Sequence, residues 1–268
     1  DLVNDVSLSQ TSGFSSYKDN MGEVLNQGFE LQVRGEVFRN RDWLVALWGN
    51  MAHNKNKIVK ISDSQRAYNA NEEYGRYNAQ YAVPISQYEE GQSLTSIWAV
   101  KSLGIDPTTG KEIFLNRDGS VSDTWNATQE VVVGNTEPKF NGSVGFNLAY
   151  KAWSLFAAFQ YEWGGQEYNQ TLVDRVENAR IQYQNVDLRV LTDRWKQPGD
   201  IAQFKDIKNA DNVTMPTSRF VQDKAYLRLS ALTLSYDFNR EWIKKHLGMN
   251  MLRLEASTRD FINWNSIR

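Results

Sequence analysis

Phe140-Asn141-Gly142-Ser143-Val144-Gly145-Phe146-Asn147-Leu148-Ala149-Tyr150-Lys151 decides the fold. Phe140, Gly142, Val144, Phe146, Leu148 and Tyr150 share one parity, and the polar or small residues take the other. A period of two sends alternate side chains to opposite faces of a β-strand. After Lys151 the pattern restarts almost at once, with Trp153, Leu155, Ala157, Phe159, Tyr161 and Trp163 on one parity. A long irregular stretch then precedes the next clear strand. The same rhythm holds elsewhere. Asn26 to Phe38 reads as a strand, Arg39-Asn40-Arg41-Asp42 as a tight polar turn, and Trp43 to His53 as a second strand whose two faces differ least. Arg219 to Phe238 is a fifth strand, with a phase slip near Ser230-Ala231 that a bulge would produce. Asn239 to Met249 is a turn with room for a short helix at Glu241–Lys245, and Asn250 to Phe261 is a sixth strand. Asp1 to Val6 reads as the tail of a preceding strand.

The connections are lopsided. Three short turns fall at one end of the strands and two long excursions, 57–137 and 164–217, at the other. Short turns on one side and long loops on the other, with aromatic residues at strand ends, are the pattern of a transmembrane β-barrel. Alternation alone suits a soluble β-sandwich equally well; the asymmetry of the connections separates the two. Arg34, Glu36, Arg253, Glu255 and Arg259 share the polar parity, so that parity is expected to face the interior and the apolar parity lipid. Six strands leave two open edges, and unpaired backbone groups in hydrocarbon each cost several kcal/mol. The chain is therefore expected to be part of a larger barrel. The excursions are too long to be structureless in a compact domain. They contain strand-like pieces (Glu112–Leu115, Glu130–Val133) and helical spacing at Leu172, Val176 and Ala179 within 172–191.

Composition narrows function. The 268 residues carry a net charge of −2 and a mean hydropathy of −0.58. No apolar run approaches the roughly 18 residues of a membrane-spanning helix, while a barrel's polar lumen and loops keep its average hydropathy low. Nine Trp and twelve Tyr suit a membrane interface, an aromatic core or a sugar-binding surface. Cysteine is absent, which removes thiol catalysis and cysteine metal sites, and there is no basic run for nucleic acid. Asp1–Asp5 has no leader character, so a leader has been removed or the chain is internal to something longer. No catalytic constellation, metal set or cofactor motif is present, and His53 and His246 stand alone. Asn116–Asp123 faintly resembles a calcium loop but lacks its closing glutamate; an Asp-Gly hairpin turn is the better reading. Four Asn-x-Ser/Thr triplets, at Asn126, Asn141, Asn169 and Asn212, are expected to be chance sequons. The excursions and the strand end that enters the second hold Tyr74, Tyr77, Tyr81, Tyr88, Trp98, Trp125, Trp163, Tyr168 and Trp195. Trp98, Trp125, Tyr168 and Trp195 are the candidates for contact with a sugar or peptide.

Several segments resemble one family. Asn26-Gln27-Gly28-Phe29-Glu30 is similar to a strand opening of the SusC/RagA-like TonB-dependent outer-membrane transporters. So are Glu90-Gly91-Gln92-Ser93-Leu94 with Trp98, Gly104-Ile105-Asp106-Pro107-Thr108-Thr109-Gly110, and Pro138-Lys139-Phe140-Asn141-Gly142 after Gly134-Asn135. Arg194-Trp195 with Pro198-Gly199-Asp200, and Ser218-Arg219-Phe220-Val221 through Tyr236, complete the series in the family's order. Ser93 stands where proline is usual, and Arg259-Asp260 where Gln-Asn is common. The resemblance implies about six strands of a barrel of about 22 with a plugged lumen. It implies import of oligosaccharide or oligopeptide through a bacterial outer membrane, and no enzymatic step. The implied partners are a SusD-like surface lipoprotein, a TonB complex acting through a plug outside this chain, outer-membrane lipid, and a second transporter–lipoprotein pair. The alternative is a soluble, secreted glycan-binding sandwich. Neither the substrate nor the gating residues are legible.

Overall fold

The computed structural model describes residues 2–7, 11, 13–75, 82–183, 185–209 and 212–267. The alternating segments form one antiparallel sheet. Its strands are β1 (Leu2–Ser7), β2 (Ser16–Arg39), β3 (Trp43–Ile61), β8 (Phe140–Tyr150), β9 (Trp153–Tyr168), β10 (Val221–Asp237), β11 (Arg253–Thr258) and β12 (Ile262–Asn265). The order is β1-β2-β3-β8-β9-β10-β11, with β12 also on β10. The remaining strands, β4 (Ser96–Ile105), β5 (Glu112–Leu115), β6 (Val121–Ser122) and β7 (Glu130–Asn135), form a second sheet in the order β6-β5-β4-β7. The expected strands are thus present, and two of them run well past their expected ends. The sheet is open, as a piece of a larger barrel would be. β1 is more than a tail: it pairs with β2 from Leu2↔Gly22 to Ser7↔Ser16.

The chain divides into two units: a wall unit of residues 27–55, 137–165 and 223–268, and an excursion unit of 1–26, 56–136 and 166–222. In the wall unit each short turn has a local cause. Asn40 Oδ1 accepts from the backbone N–H of Asp42 (2.9 Å) and Trp43 (2.8 Å), an Asx turn. Lys151 takes φ 52 at the two-residue turn between β8 and β9. The third turn carries a helix, Arg240–Leu247.

The phase slip in β10 is real. Arg228 shares a hydrogen bond with Gln160 on the polar face, whereas Tyr236 packs its ring on Trp153 on the apolar face. Both are even-numbered, so the faces exchange between them. The register shows how: Leu229 pairs with Ile262 and Leu232 with Thr258. Three steps on β10 stand against four on its partner. The expected sixth strand is therefore broken into β11 and β12, with Asp260 at φ 51 in the break. Arg219 and Phe220, expected to open the fifth strand, lie in a 3₁₀ turn, Ser218–Phe220, before β10.

In the excursion unit a helix spans Asp63–Gly75. The segment 172–191 is helical only from Gln170 through a π-turn ending at Glu177, and again at Arg189–Thr192. Leu172, Val176 and Ala179 do share a buried cluster, with Val173, Val190, Phe204 and Phe220. Two of the four sequons are caps: Asn126 Oδ1 accepts from Thr128 N, and Asn169 Oδ1 from Leu172 N. Within Asn116–Asp123, residues 116–120 form the hairpin turn between β5 and β6, closed by Asn116 N on Ser120 O (2.9 Å) with Gly119 at φ 84.

Candidate functional site

Two rows of rings cross the wall unit. At the turn end Trp43 meets Tyr150 (centroids 4.3 Å apart), Tyr150 pairs with Trp153, and Trp153 meets Tyr236 (4.7 Å), which meets Phe238 (4.9 Å). At the other end Phe29 meets His53 (5.5 Å), His53 meets Phe140 (5.4 Å), and Phe140 meets Trp163 (6.2 Å). His53 is held in its row by Nδ1–H donation to the Lys139 carbonyl (2.5 Å). Ten residue steps separate Phe140 from Tyr150 on β8. At about 3.4 Å per residue that is about 34 Å along the strand. Tilted by about 40°, it spans about 26 Å, the height of a membrane barrel's apolar band.

Between the rows the ring-bearing parity of β2, β3, β8 and β9 is free of charge. Phe29, Leu31, Val33, Val37, Leu47 and Val144 are exposed on it, Val33 at 60%. The opposite parity carries Glu30, Gln32, Arg34 and Glu36 on β2 and Gln160 and Glu162 on β9. Trp48, on the less polar face of β3, stacks toward Phe156 across Gly145 (6.4 Å, 13° between planes), which places that face inward. Burial cannot be the reason for the exposed row within this unit. A surrounding apolar medium can.

The excursion unit has an ionic core that the sequence did not reveal. Arg219 donates to Glu112 through Nε (3.1 Å) and Nη2 (2.8 Å), to Glu177 through Nη1 (3.2 Å) and Nη2 (2.6 Å), and to the Gln203 carbonyl (2.6 Å). Its side chain is 11% exposed and that of Glu177 0%. Burial opposes the charge on Arg219, but Glu112 and Glu177 outweigh it, so the guanidinium pKa stands above the ordinary arginine value. Arg194 donates to the Val176 and Glu177 carbonyls and so satisfies the end of the π-turn. Lys205, its pKa lowered chiefly by burial, reaches the Asn212 carbonyl (2.6 Å) and Thr214 Oγ1 (2.8 Å).

The resemblance motifs meet here. Trp195 Nε1 donates to the Pro107 carbonyl (2.8 Å), as does Gly199 N (2.8 Å). Gly110, at φ 71, lies under the Trp195 ring, and a Cβ there would stand 2.5 Å from it. We expect Gly110→Ala to cost the excursion unit about 1–3 kcal/mol, from the left-handed backbone and the displaced ring. Faster proteolysis near Trp195 would register it; wild-type resistance would refute it.

The four ring candidates are not brought together as one set. Trp98 is buried in β4, and it lines a cavity of about 470 Å³ with Tyr168, Ile85, Thr95, Thr136 and Gln170. Burial pushes the Tyr168 phenol pKa up. Trp98 Nε1, Tyr168 Oη and Gln170 Oε1 have no hydrogen-bond partner among the described residues. Trp125 donates to the Pro216 carbonyl (3.0 Å) beside a separate cavity of about 360 Å³. Trp195 is occupied with Pro107 and Gly110. Tyr77 and Tyr81 lie outside the described residues, and so does the side chain of Tyr74. Among the described residues no cluster of acidic or histidine side chains is spaced for a metal.

No family model matches the chain. Two TonB-dependent receptors of Formosa agariphila are similar to it: one is 24% identical over 98% of this chain, the other 22% over 96%. The chain spans 26% and 28% of their lengths, about a quarter. Among solved structures, the RagAB peptide transporter matches 98% of the chain with a TM-score of 0.74 and 20% identity. The RagAB peptide importer in its closed-closed state gives 0.76 and 22%, over 28% of that chain. The resemblance read from the motifs is thus borne out along almost the whole sequence, and the fold is that of a segment of such a barrel.

Proposed function

We propose, for a chain similar along 98% of its length to TonB-dependent receptors, that it forms part of the barrel of an outer-membrane importer of oligosaccharides or oligopeptides. The carrying observation is the uncharged, exposed face bounded by two ring rows about 26 Å apart, the height of an apolar membrane band. In this reading the wall unit crosses the bacterial outer membrane and the excursions 57–137 and 164–217 form an extracellular mouth. Glu112–Arg219–Glu177 fixes the fold of that mouth. We assign substrate contact first to Trp98 and Tyr168, because they share one cavity. The similar RagAB proteins are peptide transporters by name, which favours peptide over glycan without deciding it.

The assembly follows from the same reading. A SusD-like surface lipoprotein would cover the mouth, a TonB complex would act through a plug supplied outside this chain, and two such pairs would associate. No catalysis, metal or cofactor is assigned. The soluble sandwich draws no support: Phe29, Leu31, Val33, Val37, Leu47 and Val144 are exposed, where a sandwich would bury its apolar face in a core.

Trypsin added to intact cells tests the topology. Cleavage is expected after Arg180 or Lys196, both exposed in the second excursion. Arg39 and Arg41, at the turn end, should be cut only after the cells are opened. Cutting at Arg39 or Arg41 in intact cells, with the excursions spared, would invert the topology and overturn the reading.

A further inference from the structure

The helix Arg240–Leu247 in the third turn is amphipathic in a particular way. Asn239 caps it, its Oδ1 accepting from the N–H of Glu241 (3.0 Å) and Trp242 (3.1 Å), and Gly248 at φ 69 ends it. At 3.6 residues per turn, Trp242, Ile243, His246 and Leu247 fall on one half of its circumference. Arg240, Glu241, Lys244 and Lys245 fall on the other. Ile243 is 0% exposed and anchors the helix to the wall unit. Its apolar half is not used up by that contact: Trp242 is 51% exposed, and Leu247 is exposed to a similar degree. The His246 ring lies against Trp242 (5.0 Å), and its Nδ1–H donates to the Trp242 carbonyl (2.8 Å), which widens the ring surface.

Three bases against one acid give the polar half a net positive charge. Position adds the second argument. The helix starts two residues after Phe238, the end of the turn-end ring row. We infer that it lies flat in the phospholipid interface at that end of the wall. Trp242 and Leu247 enter the boundary between headgroups and acyl chains, and Lys244 and Lys245 meet lipid phosphates. A basic face opposite a tryptophan–leucine face is the composition of helices that lie in a membrane surface, and tryptophan concentrates at that depth. A protein partner would leave the alignment with the ring row unexplained. The inference rests on the reading of the wall as a membrane span.

The test uses the intact protein in liposomes of phosphatidylethanolamine and phosphatidylglycerol, spin-labelled at single cysteines: Trp242→Cys, Lys245→Cys, and Leu31→Cys as the wall reference. All three side chains are exposed, so the fold should survive. The Trp242 label is expected about 5–10 Å into the boundary, open to oxygen and shielded from an aqueous nickel chelate. The Lys245 label should show the reverse. If the Leu31 label is in lipid but the Trp242 label is in water, the helix inference fails and the wall reading stands. A Trp242 label shielded from both reagents means protein covers it, and also overturns the inference. A Leu31 label in water overturns the wall reading, and the helix inference with it.

Discussion

Arg219→Met in the intact protein should loosen the excursion unit by about 3–5 kcal/mol, the usual result of removing one partner from a buried ion cluster. Methionine keeps most of the arginine stem's packing and removes only the charge and its donors. Glu177, with no exposure, then loses its direct ion-pair partner and keeps only the charges of Arg194 and Lys205 nearby, and Glu112 loses its bidentate partner. Amide exchange is the direct measurement. Segments 112–115, 172–177 and 203–205 should exchange about a hundredfold to a few thousandfold faster, since each 1.4 kcal/mol is a factor of ten. β8 and β9 in the wall unit should be unchanged. Wild-type exchange in the three segments would show that the cluster does not hold the excursions together.

The same cluster predicts an asymmetry. The triple variant Glu112→Gln, Glu177→Gln, Arg219→Met should be more stable than Arg219→Met alone, because it also removes the two carboxylates that Arg219 neutralises. If the triple variant is the worse of the two, shape rather than charge is what Arg219 supplies, through its stacking on the Phe220 ring (4.4 Å).

Why the wall could be read from sequence and this cluster could not is a matter of range. Residues 140–151 carry their own fold: a period of two needs no knowledge of neighbours, because each strand must put one parity toward lipid and the other toward the interior. The slip at Ser230-Ala231 was visible for the same reason, as a local break in parity. The break between β11 and β12 was not, since its cause is the register of the partner strand. Arg219 and Glu112 are 107 positions apart, and Arg219 and Glu177 are 42 apart. No periodicity links them, and charged residues in excursions read as solvated. The Gly104–Gly110 and Arg194–Asp200 motifs were each visible, but that Trp195 covers Gly110 was not. The ring candidates were chosen by residue type, which does not distinguish a ring that packs a turn from one that lines a cavity. The ring rows needed only parity and strand length, yet they appear as rows once the register aligns Trp43, Tyr150 and Trp153.

The wall makes the other large prediction, and it depends on parity alone. Val33 and Gln32 are adjacent on β2, both exposed, and near the middle of the span between the ring rows. Proximity to turns and distance from the excursions are the same for both, and the higher strand propensity of valine accounts for at most about 1 kcal/mol. If the apolar parity faces hydrocarbon, Val33→Arg should cost about 2–4 kcal/mol, the penalty for arginine at the midplane of a membrane barrel. Gln32→Arg, pointing into the polar interior, should cost little. Denaturant unfolding of the intact protein from liposomes measures both. In detergent micelles the gap should narrow, because a micelle lets water and headgroups reach the guanidinium more easily than a bilayer does. A soluble sandwich also penalises Val33→Arg, but there the loss would be the same with and without a bilayer. Equal costs at the two positions would mean that neither parity faces lipid. A bilayer-dependent penalty at Val33 but not at Gln32 follows only if this face of the wall is solvated by lipid.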